Sequence, residues 1–502
     1  MEKSEALRRA KSFPLWLTDK YIYAMLFVFP LFTGFWGYSE ITASKAAFFY
    51  GLSGLWLLCL LAWRIFFPKE KSAQRPSIPE ICLLGFLLLC CVSALASPFG
   101  TAVLLGAGRF DGLVNIIICC CVFFAVSRFG KMKIGYVYAL GLSAFICCLV
   151  ALFQLLGFDP LWLYPGDLCY YDGGIKYSSQ FLGTIGNADL FSAFLCLALP
   201  LLTVVYITSD RRAYILLPAI ALTAFCLFVC GVSGGVLAIL VLALVAAPFL
   251  LKTGERLRRA LEICGLFCLA LFVALSFEGL YENGIVTIGF NFSQEFALLP
   301  ILALVFLILR IALKNREFKA KSLCRFFVLL SVSVLALGLC VAYFWRGSEG
   351  TIFELSRLLH GEVLDSFGSS RILIWRKTLE LVPEHLLLGG GPGTLPLRLD
   401  LEFSRFVAET GETLSTFVDN AHNEYLGILV NTGLLSLLAY LAALGTSLWS
   451  SAKSFGKQPL LPALCCALFC YWVQGFFNLG LLLVSPLMFI LWGLLCGKIR
   501  KP

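Results

Sequence analysis

Apolar runs of about 17–25 residues recur along the whole of this chain, each bounded by a short polar or basic connection. A run of that length lets a helix cross a hydrocarbon core about 30 Å thick. In hydrocarbon every backbone N–H and C=O must be satisfied within the protein, and a continuous apolar run does so as a helix. The runs lie near 21–38, 46–67, 81–97, 113–128, 134–157, 181–206, 213–230, 234–251, 260–277, 296–313, 326–345, 424–449, 460–477 and 481–497. They predict an all-α polytopic membrane protein with about 14 transmembrane helices, within a range of 12–14. Composition agrees: 60% of residues are hydrophobic and 14% charged, against about 25% charged in soluble domains. The first run is too long for a signal peptide and lacks a small-x-small cleavage site, so it reads as an uncleaved anchor.

A net charge of +9 would suit a nucleic-acid partner, but its distribution gives another reason. With the N-terminus cytoplasmic, alternate connections on the inner side hold 29 Lys/Arg and 9 Asp/Glu, and those on the outer side hold 10 and 21, together the 39 and 30 of the whole chain. That asymmetry is the positive-inside pattern. It predicts both termini in the cytoplasm and assigns the surplus charge to topology, with no nucleic-acid partner. Most of the 21 cysteines sit inside the apolar runs, where a thiol behaves as a small hydrophobe. Cys169, in an outer loop, is the exception.

Three outer segments stand out. The first, about 98–112, ends in GAGRFDG with Arg109 and Asp111. The second, about 158–189, is aromatic and polar. The third, about 346–423, is the largest and shows helical patterning at about 352–366 and 371–388. The expected organisation is one integral domain: a membrane part over 1–345, an extracytoplasmic helical loop over 346–423, and C-terminal membrane helices over 424–502. No internal repeat or low-complexity tract is visible.

Residues able to carry chemistry concentrate in the third segment. Arg371 opens an expected helix that Ser369 or Ser370 would cap. Trp375, four residues on, shares its face. A guanidinium is permanently charged and matches phosphate oxygens with two parallel donors; the alternative is a juxtamembrane arginine on a solvated face. Gly389-Gly390-Gly391-Pro392-Gly393 follows. Amides in such a turn can cradle an anion, or the run is a helix stop and tight turn; no Gly-Lys-Ser/Thr follows, so it is not a Walker loop. Of three histidines, His360, His385 and His422, the last stands at the mouth of the twelfth run in DNAHNEYL. There it is either a base near neutral pH, with Asp419 and Asn423 as neighbours, or part of an interfacial cap. His385 reads as structural. Asp400-Leu401-Glu402 resembles acidic pairs that hold divalent ions and equally an ordinary acidic loop, and no metal constellation emerges. Asn291-Phe292-Ser293 fits a glycosylation sequon.

With these residues assembled, the chain resembles the O-antigen ligase and O-antigen polymerase superfamily of bacterial polytopic glycan transferases. The resemblance is strongest over about 369–440 and rests on Arg371, Trp375, Pro383, Gly389, Gly391, Gly393, His422, Asn423 and Gly433. Upstream, Gly108-Arg109-Phe110-Asp111-Gly112 is similar to the family's Arg-x-x-Gly outer turn, and Gly183-Thr184-Ile185-Gly186-Asn187 to its Gly-Asn span entry. The chain departs from the pattern at Ser233-Gly234, where relatives often carry Ser-Arg, and at Gly186-Asn187-Ala188-Asp189, where they carry Gly-Asn-Pro-Asn. The resemblance implies transfer of a glycan from an undecaprenyl-pyrophosphate carrier to a glycan, lipid or protein acceptor, at the outer face of the bacterial cytoplasmic membrane. It implies His422 and Arg371 as catalytic residues, and Arg109, Trp375, Asn423, Asn187, Gly389 and Gly391 as substrate-binding ones. It further implies an inverting reaction without metal, cofactor or nucleotide sugar. Trp162, Tyr164, Tyr170 and Tyr171 read either as platforms for sugar faces or as ordinary interfacial aromatics. Protein O-oligosaccharyl transfer, a lipid-linked glycan flippase and a non-catalytic scaffold are the alternatives. The flippase is disfavoured by scarce mid-span charges and the lack of repeats.

Overall fold

The computed structural model describes residues 2–67, 75–164, 169–172, 175–178, 182–209, 211–278, 298–348, 350–407, 412–453, 455, 458 and 460–499. Helix α1 (Glu2–Tyr23) continues through a π turn (Ala24–Val28) into α2 (Phe29–Leu31). Next come α3 (Ile41–Phe66), α4 (Ile78–Ala96), the short α5 (Ala102–Leu105), α6 (Leu113–Phe129) and α7 (Ile134–Leu155). An antiparallel hairpin, β1 (Cys169–Asp172) with β2 (Ile175–Ser178), pairs Cys169 with Ser178. The chain then runs through α8 (Ala188–Thr208), α9 (Leu217–Val229), α10 (Ser233–Leu250), α11 (Gly254–Glu278), α12 (Leu298–Ala312) and α13 (Ala320–Tyr343). The large third segment holds α14 (Thr351–Leu359), α15 (Phe367–Glu380) and a hairpin of β3 (Glu402–Val407) with β4 (Glu412–Phe417). Helices α16 (Glu424–Ala452), α17 (Leu461–Gln474) and α18 (Ser485–Ile499) complete the chain.

Among the described residues, eight helices are long and apolar enough to cross a membrane, and shorter apolar helices accompany them. This is a polytopic, predominantly helical membrane protein. Helix α8 lies at its centre, 94% buried over its apolar window and packed against α7, α9, α10, α11 and α17. Helix α13 lies at the periphery, only 11% buried. Its exposed Leu329, Val332, Leu335 and Leu337 form an apolar face far larger than water tolerates, and lipid is the solvent that suits it.

Glycine and proline move several boundaries from those the hydropathy suggests. The first helical stretch lies over 2–31 and not 21–38, because Gly34 and Gly37 adopt positive φ (74° and 58°) and end it. Helix α8 starts at Ala188, not near 181, because Gly183 and Gly186 take left-handed turns ahead of it (φ 56° and 87°). In the third segment Gly361 (φ 81°) follows the end of α14, short of the expected 366, and the helix expected over 371–388 ends at Glu380 ahead of a 3-10 turn at Pro383–His385.

The feature that organises the site is a break inside α16. Gly433 has φ 87° and ψ 172°, so the helical bonding cannot continue through it. Within a bilayer the freed backbone groups must find protein partners. The glycine loop supplies them. Gly390 N donates to Val430 O (3.1 Å) and Gly391 N to Asn431 O (2.8 Å). In return, Leu434 N donates to Leu386 O (2.8 Å) and Leu435 N to Leu387 O (3.4 Å). Arg398 Nη2 adds bonds to Val430 O (3.1 Å) and Asn431 Oδ1 (3.0 Å). Gly389 is required twice over: its φ is 68°, and a Cβ there would overlap the Asn431 carbonyl.

Gly389→Ala is therefore expected to lower stability by at least about 2 kcal/mol, combining left-handed strain with overpacking. Gly445→Ala, whose Cβ meets no neighbour within 4 Å, should leave stability unchanged or slightly raised. Thermal unfolding of both variants in detergent checks this, and equal midpoints would contradict it.

Candidate functional site

Four chain segments meet at one end of the bundle: the turn before α6, the N-terminus of α8, the start of α15, and the segment leading into α16. The ends of α8 and α16 are built alike. Asn187 Oδ1 accepts from Leu190 N (3.1 Å) and Asn423 Oδ1 from Leu426 N (3.0 Å), each in extended backbone conformation as an N-cap. A capping side chain satisfies one of the orphan donors of a first helical turn. Two helix N-termini, with their partial positive charge, thus border one site.

The segment into α16 forces an unusual residue outward. Asn420 Nδ2 donates to Asp419 Oδ1 (2.5 Å), and Asn420 Oδ1 accepts from His422 N (3.0 Å). His422 is thereby held at φ 45°, a conformation uncommon for residues other than glycine, although histidine enters it more often than most. Strain of this kind gathers where a side chain is held for a purpose. Its imidazole is about a third exposed.

Arg371 reaches the same place from α15. Gly368, Ser369 and Ser370 all take positive φ (62°, 58° and 63°) immediately before it. Ser369 and Ser370, expected as caps, form the kink, and the N-cap residue of α15 is Ser366, which makes no side-chain capping bond. Arg371 Nη2 lies 3.3 Å from Asp189 Oδ1, and His422 Nδ1 lies 3.7 Å from Asp189 Oδ2. One carboxylate at the N-terminus of α8 therefore faces both residues. Arg109 pairs with Asp419 through its Nε. The GAGRFDG turn that carries Arg109 docks on the glycine loop, with Ala107 N donating to Gly393 O (2.9 Å). Asp111 Oδ1 is wedged against Gly106 and Gly393, which have no room for a Cβ. Burial pushes the Asp111 carboxyl up to about 6; Asp419 adds to the rise, and its own backbone and Arg109 oppose it.

A cavity of about 140 Å³ opens beneath His422, with Asp111, Asn115, Asp419, Glu424 and Asn431 among its polar lining and no Lys or Arg. The site thus has two flanks, one with the guanidinium of Arg371 and one with carboxylates and amides.

The other expected residues sit as follows. Trp375 is half-buried, edge-on to Phe476 (5.5 Å), and its Nε1 has no hydrogen-bond partner. The amides of Gly389, Gly390 and Gly391 donate to His385 O, Val430 O and Asn431 O. They build the helix break, which is the tight-turn alternative of the sequence reading, and these three amides are taken by carbonyls. Tyr164 is 7% exposed and edge-on to Tyr38 (4.8 Å), so it is core and not a sugar platform, whereas Trp162 is exposed. The side chains of Cys169, Tyr170 and Tyr171, and the sequon at 291–293, lie outside the described residues. His360 bonds Ser356 O (2.7 Å) and stacks on Tyr343. Among the described residues, no three His, Cys, Asp or Glu side chains are grouped to hold a metal ion.

Sequence reasoning missed three contributors. Asp189 was visible only as a departure in the span entry, although an acid in a helix's first turn is a signal. Arg398 stands five residues after the glycine loop. Asn478, whose Nδ2 donates to Asp189 O (2.6 Å), had no signal at all.

The fold and site together define a multi-pass membrane protein with a polar site at helix ends, where Arg371 and Arg109 stand near a cavity lined by His422. Residues 284–441, about a third of the chain, match the family model described as O-antigen ligase. The match supports the resemblance to that superfamily and a role of the lipid-linked glycan transferase kind. It contains Arg371, Trp375, the glycine loop, His422 and Gly433, while Arg109 and Asp189 lie outside it and are brought in by the fold. No curated protein matches the chain.

Proposed function

We propose that this protein transfers a glycan from undecaprenyl pyrophosphate to a hydroxyl acceptor at the outer face of a bacterial cytoplasmic membrane, as a ligase or a polysaccharide polymerase. The observation that carries the reading is the meeting of Arg371 and His422 beside a cavity, on residues that match the O-antigen ligase family model. The charge asymmetry of the connections supports an outward-facing site, fourteen spans and both termini inside.

The donor is already activated, so the protein supplies position and electrostatics. His422 takes the proton of the acceptor hydroxyl as its oxygen bonds to the anomeric carbon. The bond from that carbon to the phosphate oxygen breaks on the opposite face, so configuration inverts. Undecaprenyl pyrophosphate leaves with the negative charge, which the fixed guanidiniums of Arg371 and Arg109 stabilise as it develops. No step calls for a metal or a cofactor.

The test is transfer by the purified protein in detergent with a crude pool of undecaprenyl-pyrophosphate glycans and glycan, lipid and protein acceptors. Release of undecaprenyl pyrophosphate coupled to growth in acceptor mass is the expected result, and the product identifies the acceptor. No release with all three acceptor types present would overturn the reading in favour of transport or scaffolding.

A further inference from the structure

Asp189 is the group that ties the two sides of the site together, and no part of the mechanism above uses it. Its position is over-determined. Asn187 caps its helix two residues earlier, and Asn478 Nδ2 bonds its own carbonyl (2.6 Å). Its two carboxylate oxygens are divided: Oδ1 faces Arg371 Nη2 at 3.3 Å, and Oδ2 faces His422 Nδ1 at 3.7 Å. The second distance is an ion-pair contact and longer than a hydrogen bond, and His422 Nδ1 has no hydrogen-bond partner in this state. Arg109 and Asp111 from the turn before α6, with Asp419 and Glu424 beside His422 in the chain, are the other charged groups of the site.

A carboxylate beside Nδ1 favours the imidazole tautomer that carries its proton there. That leaves Nε2 with an open lone pair, as a base requires. When Nε2 accepts a proton, the new positive charge lies beside the same carboxylate. The Nη2 contact with Arg371 leaves the rest of that guanidinium to face a phosphate. From this geometry we propose that Asp189 is a positioning residue shared by both: it sets the Nδ1–H tautomer of His422 and fixes the direction of Arg371. The inference rests on the proposed transfer reaction for its purpose, but its structural content can be measured without turnover.

The chain has only three histidines, so nitrogen NMR of the full-length, histidine-labelled protein in detergent resolves the question. The His422 signal is assigned by its loss in His422→Ala, and the His360 signal, from a ring stacked on Tyr343, reports folding. In the wild type at alkaline pH, His422 is expected as the Nδ1–H tautomer. In Asp189→Asn, whose amide nitrogen can donate to Nδ1, the population should move to Nε2–H. Where the wild type turns over, Asp189→Asn should lower kcat by at least about tenfold, since an imidazole locked in the wrong tautomer loses far more in well-studied triads. The donor KM should change by less than about threefold, and Asp189→Glu should recover part of kcat. A wild-type His422 already in the Nε2–H form, or an Asp189→Asn spectrum unchanged from wild type, overturns the inference. A wild type that releases no undecaprenyl pyrophosphate sinks the transfer reading instead, and the tautomer result still decides the role of Asp189.

Discussion

His422→Ala is expected to lower undecaprenyl pyrophosphate release by about 10²–10⁴-fold, the range that a positioned general base supplies, with the thermal midpoint little changed. The two halves of this expectation have separate physical grounds. The imidazole is about a third exposed, and its Nδ1 makes no hydrogen bond, so removing it opens no core cavity. The backbone of residue 422 is held by Asn420 Oδ1, and the following helix by the Asn423 cap; both survive the substitution. Alanine is less at home at φ 45° than histidine, so a small fall in thermal midpoint accompanies the substitution. Release assays beside thermal unfolding in detergent separate the effects. An alanine variant with normal turnover would remove His422 from the mechanism and leave Asp111, a carboxyl pushed up to about 6 in the same cavity, as the next group to examine. An inactive variant that has also lost its unfolding transition would instead mark His422 as structural.

How much of this was legible in the sequence follows from the range over which each feature is encoded. The apolar runs are local, and a helical membrane body follows from them. The break in α16 is not local. Val430-Asn431-Thr432-Gly433-Leu434-Leu435 keeps the hydropathy of a continuous span, and its replacement partners come from Leu386–Gly391, some forty residues upstream. The glycine loop was legible as a turn, but whether its amides face an anion or a carbonyl depends on what docks there, and that is the broken helix. The two hairpins escaped because a window sized for membrane spans averages over strands of four to six residues. Arg371 and His422 were legible as residue types at the edge of a span. That Asp189 faces both was not, since 182 and 233 positions separate it from them. Asn187 and Asn423 entered as substrate contacts through the resemblance; that their side-chain oxygens also cap α8 and α16 is visible only in the structure.

Substitution of Arg371 has the other large expected effect. Arg371→Ala should lower kcat by about 10²–10³-fold, the loss typical of removing one donor to a developing oxyanion. Arg371→Lys should recover only part of it. Lysine restores the charge but not the planar fork, and a shorter-reaching ammonium cannot both contact Asp189 and present parallel donors to a pyrophosphate. The site is arranged for the fork: three consecutive left-handed residues, Gly368 to Ser370, aim the start of α15, and Asp189 takes only one of the guanidinium nitrogens. Arg371→Ala also leaves Asp189 without its arginine, and a partly buried carboxylate stripped of its partner is destabilising, so a modest fall in thermal midpoint accompanies the loss of turnover. Steady-state kinetics on a defined donor distinguish the possibilities. Full activity in Arg371→Lys would mean that charge alone is required at this position. Full activity in Arg371→Ala would mean that the arginine stabilises no leaving group, and the pyrophosphate-binding half of the mechanism would have to move to Arg109, which pairs with Asp419 of the cavity lining.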